Sequence, residues 1–363
     1  MNWKKWIGPL LGLFFLGLVV LNPNLRELFS GIIHGNPRKI FNPELHIGQI
    51  YRHFMDADYR ILLLATALSM VQYPLRAIRW KYLLLPRKKI KFHSLLSATM
   101  IGFMANNLLP ARLGEFVRAY MISRKEQISK SSAMATIVLE RIFDGLALLA
   151  ILLFVFHSFS FPGWVVVIGW WATGIFAFVF AFLVSMTLWP NGFAGAISSI
   201  GTLFSQRVKK RAESLILRFI SGLDILHDRR LVLITLVLSL IHWLFLGWCL
   251  GIALDSFHIE LPRTGPYFVL SIVALGLSIP SSPAFIGTFQ WLTERALAVY
   301  EVPKDLSLSF SSVFLLTSFI PTTLIGIIYF LKEHLTWKEL RRTEEEIKQN
   351  SPAAGGSDEK PGS

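Results

Sequence analysis

The chain has 363 residues, of which 53% are hydrophobic and only 16% charged, with a mean hydropathy of +0.53. Soluble domains carry about 25% charged residues; here the apolar residues also fall in long blocks, which excludes one soluble globular domain and predicts a polytopic membrane protein. The net charge of +13 comes from basic residues in short segments between those blocks, a pattern that fits membrane loops and anionic headgroups rather than nucleic acid.

The N-terminus, "MNWKKWIGPLLGLFFLGLVVLNPNL", has a basic start and an apolar core but no small-x-small cleavage site. It reads as an uncleaved first span over residues 6–21. Residues 22–58 are polar and broken by Gly and Pro, with room for a short interfacial helix. The second span covers residues 59–84, with Arg76, Arg79 and Trp80 toward its end. Both arginines are expected to snorkel to the headgroups; the alternative places Arg79 and Trp80 at an entrance for lipid phosphate. Residues 81–92 then hold five Lys or Arg and no acid, which predicts a cytoplasmic loop.

The next strong span is 131–156, followed by one over 164–188. Residues 189–230 carry seven Lys or Arg against three acids and should again be cytoplasmic, with an amphipathic helix around "VKKRAESLILRFISGLDIL". The chain is therefore inside at residue 92 and inside again near residue 130. The apolar run between, residues 95–109, has fifteen residues and is short for a crossing. A re-entrant hairpin solves the parity. One arm is "LLSATMIGFMANNLLP" and the other "ARLGEFVRAYMI", with Asn106, Asn107 and Pro110 near the turn.

The second half repeats the problem. Spans are expected over 231–254 and 308–331, so residues 267–305 must enter and leave on one side. Their centre, "SIPSSPAFIGTFQWLTERAL", is rich in Pro, Gly and Ser, which predicts a second, opposed hairpin. The predicted fold class is all-α. It is a polytopic membrane helix bundle of six crossings and two opposed re-entrant hairpins, with inverted-repeat topology and both termini cytoplasmic. The predicted divisions are a transmembrane domain over 1–332, a cytoplasmic tail helix over 333–350 and a disordered tail over 351–363.

Charged side chains inside these spans carry the functional signal. Arg112, Glu115 and Arg118 are spaced three apart, so Glu115 can pair with either arginine. Glu140 and Asp144 share a face of the next span, with Arg141 able to reach Asp144. Unpaired, such groups would be expensive there. A network joining Arg112 or Arg118 to Glu140 or Asp144 is expected, and its surplus positive charge suits phosphate. Asn106 and Asn107 add amides, and Gly114 permits close packing or headgroup approach. Pro280, Pro283 and Gly287 are the breaks of the second hairpin, where Gln290 and Glu294 face one way. His242 is expected to be a satisfied polar residue, and Cys249 a buried small side chain. The nine histidines form no H-E-x-x-H, and no phosphate-binding G-x-x-x-x-G-K-[ST] loop occurs, so neither metal nor cofactor is expected.

"NNLLPARLGEFVRAYMISRK", followed by "ATIVLERIFDGLALL", resembles the membrane domain of the lysylphosphatidylglycerol synthase and flippase family. "LRAIRWKYLL" and, less closely, "IPSSPAFIGTFQ" do so too, and the resemblance covers residues 5–332. It implies a flippase-like fold whose polar motifs map onto Asn107, Pro110, Arg112, Gly114, Glu115 and Arg118, then Glu140, Arg141 and Asp144, then Pro283 and Gly287. Family members read P-G-G-x-G-x-x-E in the last motif, whereas this chain has Ala284, Phe285 and Gln290 there. No soluble aminoacyl transfer domain is seen, so lysyl transfer is not expected. The expected function is movement of an anionic, zwitterionic or polyprenyl-phosphate lipid between leaflets of the cell membrane, with Arg79 among the phosphate contacts. The alternatives are intramembrane glycosyl transfer from a polyprenyl-phosphate sugar, and a non-transporting membrane scaffold.

Overall fold

The computed structural model describes residues 46–109, 113–158, 163–193, 214–215, 217–278 and 285–335. The first span, Pro110, Arg112, Pro280, Pro283, most of the tail helix and the polar C-terminus lie outside the described residues. Those described are helical, with no strand among them.

In chain order the helices are α1 (Ile47–Asp56), α2 (Tyr59–Ser69), α3 (Gln72–Leu84), α4 (Phe92–Leu108), α5 (Gly114–Glu126), α6 (Lys130–Ser158), α7 (Gly163–Leu188), α8 (Arg229–Asp255), α9 (Gly265–Gly276), α10 (Thr288–Ala298) and α11 (Lys304–Lys332). A 3-10 turn at Asp224–His227 precedes α8. The caps explain several starts. Asp58 accepts hydrogen bonds from the backbone of Arg60 and Ile61, and Asp228 does the same for Arg230 and Leu231. Gln127 ends α5 in the left-handed region (φ 57°) and turns the chain into α6.

Four segments are long and apolar enough to cross a membrane by length and composition: Tyr59–Leu84, which joins α2 and α3, Val165–Leu188, Arg229–Asp255 and Lys304–Lys332. Helix α6 has 29 residues, as long as α11, and buries Glu140 and Asp144 among its apolar side chains. The remaining helices are short. At 1.5 Å per residue α4 reaches about 26 Å and α5, α9 and α10 about 17–20 Å, against a hydrocarbon core of about 30 Å. A pair of short helices followed by a long one occurs twice, as α4–α5–α6 and α9–α10–α11.

Helix α4 packs between α5 and α11. Its contact with α5 is made by glycine: a Cβ on Gly114 would overlap the carbonyl oxygen of Gly102, and a Cβ on Gly102 would lie 2.9 Å from the carbonyl oxygen of Gly114. The ends of α4, α5 and α11 are clasped by Glu333, which accepts from Ser97 at 2.7 Å and Lys125 at 2.6 Å. Burial opposes the Glu333 carboxylate, yet these two hydrogen bonds outweigh it and hold its pKa below the ordinary range. A lowered folded pKa contributes stability above the unfolded value, about 4.3, that fades as pH falls through the folded one. Thermal unfolding should therefore shift downward below about pH 4, and Glu333→Gln should lower the midpoint at pH 7 while flattening that acid limb.

Apolar side chains form two clusters. One gathers α3, α4, α5 and the first half of α6 around Trp80, Ile101 and Phe143. The other gathers α2, the second half of α6, α8, α9, α10 and the start of α11 around Phe268 and Phe310. On α6 the seam between them falls at Asp144, which lies between Phe143 of the first cluster and Ala147 of the second.

Candidate functional site

The seam holds an ion network. Helix α3 supplies Arg76 and Arg79, α5 supplies Glu115 and Arg118, and α6 supplies Glu140, Arg141 and Asp144. Three-residue spacing puts Arg76 and Arg79 on one face of α3. Four-residue spacing does the same for Glu140 and Asp144.

Glu140 is the hub and is fully buried. Arg118 grips it with two bonds, at 3.0 and 3.3 Å. Arg79 lies 3.1 Å away, Arg76 3.3 Å and Arg141 3.4 Å. Asp144 takes Arg79 at 2.5 Å, Arg76 at 3.3 Å and Arg141 at 3.6 Å, plus the indole N–H of Trp243 at 2.9 Å. Arg79 also donates to Ser239 at 2.9 Å. The flat guanidinium faces are used as well. Arg118 sits 4.2 Å from the Trp80 ring, whose N–H is fixed by Thr136, and Arg76 lies between the Phe103 and Trp243 rings.

Arg76, Arg79, Arg118, Glu140 and Asp144 are each at most 4% exposed. Arg141 and its partner Glu115, at 3.3 Å, form the more open edge, with side chains 31% and 21% exposed. Within the described residues four guanidinium groups face three carboxylates, which leaves one positive charge over. Nε of Arg76, Arg79 and Arg118 has no hydrogen-bond partner there, whereas Nε of Arg141 lies against Glu115. Pairing and ring contacts make these charges tolerable in a membrane interior, and the spare donors are suited to an oxyanion.

The expected bond between Arg118 and Glu140 is present, as is the reach of Arg141 to Asp144. Three expectations change. Arg76 and Arg79 do not snorkel; both point into the network, because Glu140 and Asp144 on α6 offer buried counter-charges. Among the described residues Glu115 pairs with Arg141 and not with Arg118; Arg112, its other expected partner, lies outside them. His242 is 2% exposed, but neither ring nitrogen has a hydrogen-bond partner among the described residues; its ring meets Trp243 edge-on at 5.2 Å. Cys249 is buried as expected.

The two amides sit beside the network rather than in it. Asn106 accepts from the Gly114 N–H at 2.8 Å, so it caps α5 from the end of α4. Asn107 donates to Thr323 at 2.9 Å and ties α4 to α11 near the internal Pro321. In the second short pair Gly287 adopts φ 84°, and its N–H donates to Gln290 at 2.8 Å. Gln290 thus serves as a cap for α10. Glu294 is buried beside Arg295, 3.4 Å away, and is not in the network. Trp243 and Ser239 complete the site without a local sequence signal. The pairing of two arginines one turn apart was the available sign for Arg76.

The family described as the lysylphosphatidylglycerol synthase TM region matches residues 42–326, about four-fifths of the chain and all the helices that build this network. The chain belongs to that family. This member is an integral, multi-pass membrane protein. It is 23% identical over 306 residues to UPF0104 membrane protein MJ1595 of Methanocaldococcus jannaschii, covering 78% of this chain and 88% of that protein. It is 24% identical over 229 residues to UPF0104 membrane protein MJ1078 of the same organism, covering 62% and 92%. Glycosyltransferase AglD of Haloferax volcanii is 35% identical over 96 residues, which is 26% of this chain and 15% of that protein. No solved structure matches.

Proposed function

We propose that this member of the lysylphosphatidylglycerol synthase TM family is a flippase, which moves a phosphate-bearing lipid between leaflets of the cell membrane. The supporting observation is the buried network with more guanidinium than carboxylate. Its surplus charge and the Nε groups of Arg76, Arg79 and Arg118 can take a phosphate, while Glu140 and Asp144 balance the arginine charge. The lipid is a phospholipid or a polyprenyl phosphate. Arg79, Arg112, Arg118 and Arg141 contact the phosphate; Asn106, Asn107, Glu115, Glu140 and Asp144 shape the site.

In this reading α4–α5 and α9–α10 are opposed re-entrant hairpins, related as halves of an inverted repeat, with both termini cytoplasmic. Their short lengths and the recurrence of two short helices before a long one support it. Pro110 and Gly114 hinge the first hairpin; Pro280, Pro283 and Gly287 hinge the second. Residues 1–332 form the transmembrane domain, 333–350 a cytoplasmic tail helix, and 351–363 a disordered tail.

A glycosyl-transfer reading draws on the name of the Haloferax relative. Against it, Glu115, Glu140 and Asp144 are all engaged by arginine, which disfavours a carboxyl serving as general acid. Purified protein in vesicles should exchange fluorescent phospholipid or polyprenyl phosphate between leaflets. Asp144→Asn and Arg112→Ala should each reduce that exchange to the protein-free rate. Exchange at the wild-type rate in both, or no exchange of any phosphate-bearing lipid by folded protein, overturns the proposal.

A further inference from the structure

Next to the network lies a cavity of about 160 Å³, lined mainly by apolar side chains of α8, α9, α10 and α11 and reaching Ser69 and Gln72 at the break between α2 and α3. None of the seven charged residues of the network lines it. It adjoins them along two helices. Gln72 is one turn before Arg76 on α3, and Leu246 is about one turn after Trp243 on α8. One turn is about 5–6 Å. The cavity and the network thus share α3 and α8, with lining residues about one turn from network residues on each.

Its walls specify a guest. Leu246, Leu250, Val269, Val273, Phe289 and Phe310 face it. An apolar cavity of about 150 Å³ stays dry and takes an apolar molecule. Four polar side chains interrupt this lining, Ser69, Gln72, Thr293 and Ser318, and the Ser69 hydroxyl is spent on the Thr66 carbonyl. Thr293 is 1% exposed, and its hydroxyl has no hydrogen-bond partner among the described residues. Thr293 therefore has a donor to spare at a mainly apolar surface, and leaving it unmet has a cost.

We propose that this cavity holds the head end of one hydrocarbon chain of a glycerolipid, with the ester or ether oxygen of that chain accepting a hydrogen bond from Thr293. This rests on the flippase reading, since the phosphate of the same lipid occupies the arginine network. A glycerolipid has an oxygen between phosphate and chain, and an apolar chain beyond it. A polyprenyl phosphate has the chain but no second oxygen. Thr293 thus selects glycerophospholipid over polyprenyl phosphate.

The test uses the full chain in nanodiscs with phosphatidic acid bearing a diazirine near the head of one acyl chain. The same photoprobe on diacylglycerol, which lacks phosphate, is the comparison. The expected crosslinks fall on Leu246, Cys249, Leu250 or Val273. Val273→Trp should lower them at least five-fold by filling the space. Thr293→Val keeps the shape and should weaken capture of phosphatidic acid about five-fold, leaving competition by polyprenyl phosphate unchanged. Crosslinks confined to exposed residues such as Leu233 and Trp248, unaltered in both variants, overturn the inference. Equal labelling of the cavity by the two probes would leave the chain site standing and remove the phosphate reading instead.

Discussion

Glu140→Gln is expected to abolish lipid exchange and to destabilise the protein by about 3–5 kcal/mol. Glu140 is fully buried and lies within 3.4 Å of Arg76, Arg79, Arg118 and Arg141. Without its charge, four guanidinium groups would face two carboxylates. The amide would keep the volume but could accept at only one oxygen. Removing one member of a buried ion pair strands the other, and that stranded charge, rather than the lost bond, dominates the cost.

The double variant Arg118→Gln with Glu140→Gln separates folding from transport. It removes the bidentate pair together and leaves two amides that can bond each other. At least half the lost stability should return in thermal unfolding, whereas exchange should stay at the protein-free rate because a phosphate contact is gone. If the double variant is no more stable than Glu140→Gln alone, Arg118 is not the principal partner of Glu140. If it regains exchange, Arg118 does not receive the phosphate.

Gly114→Val should disable the protein from the packing side. A Cβ at this position would overlap the Gly102 carbonyl oxygen and approach the Asn106 amide that caps α5. Backbone lies on one side, so the conflict resolves only if α4 and α5 separate. Overpacking of this kind costs about 3 kcal/mol or more where backbone must move. Arg118 is one turn beyond Gly114 and lies against Gly102, so separation also draws it away from Glu140. Exchange should fall to background, and the unfolding midpoint should drop well below that of Gly174→Ala. A Cβ at Gly174 meets nothing within 4 Å, and that control should change stability by less than about 0.5 kcal/mol. Matching midpoints for the two variants would show that α4 and α5 have room to spare.

Much of this was readable along the chain. The spans expected at 59–84, 131–156, 164–188, 231–254 and 308–331 correspond to α2–α3, α6, α7, α8 and α11, because a long apolar run fixes a helix whatever it packs against. Glu140, Arg141 and Asp144 stood out because charge within an apolar run demands a partner. The partner itself was only half legible. The spacing points to Arg118, but Arg76 and Arg79 read as headgroup-facing, with Arg79 alternatively at a phosphate entrance. An arginine near a span end reads the same whether its neighbour is water or a carboxylate on another helix.

Sequence alone determined the class of solvent, the helices and which groups must be neutralised, since these follow from the local cost of placing each side chain in hydrocarbon. Tertiary structure decided who neutralises whom. It brought Trp243 and Ser239 to Asp144 and Arg79 across about a hundred residues or more of chain, turned Asn106 and Gln290 into caps, and left Thr293 facing a cavity. Pairing depends on which helix faces come within about 3 Å of one another, and that distance is set by packing contacts such as Gly102 against Gly114, which local sequence does not encode.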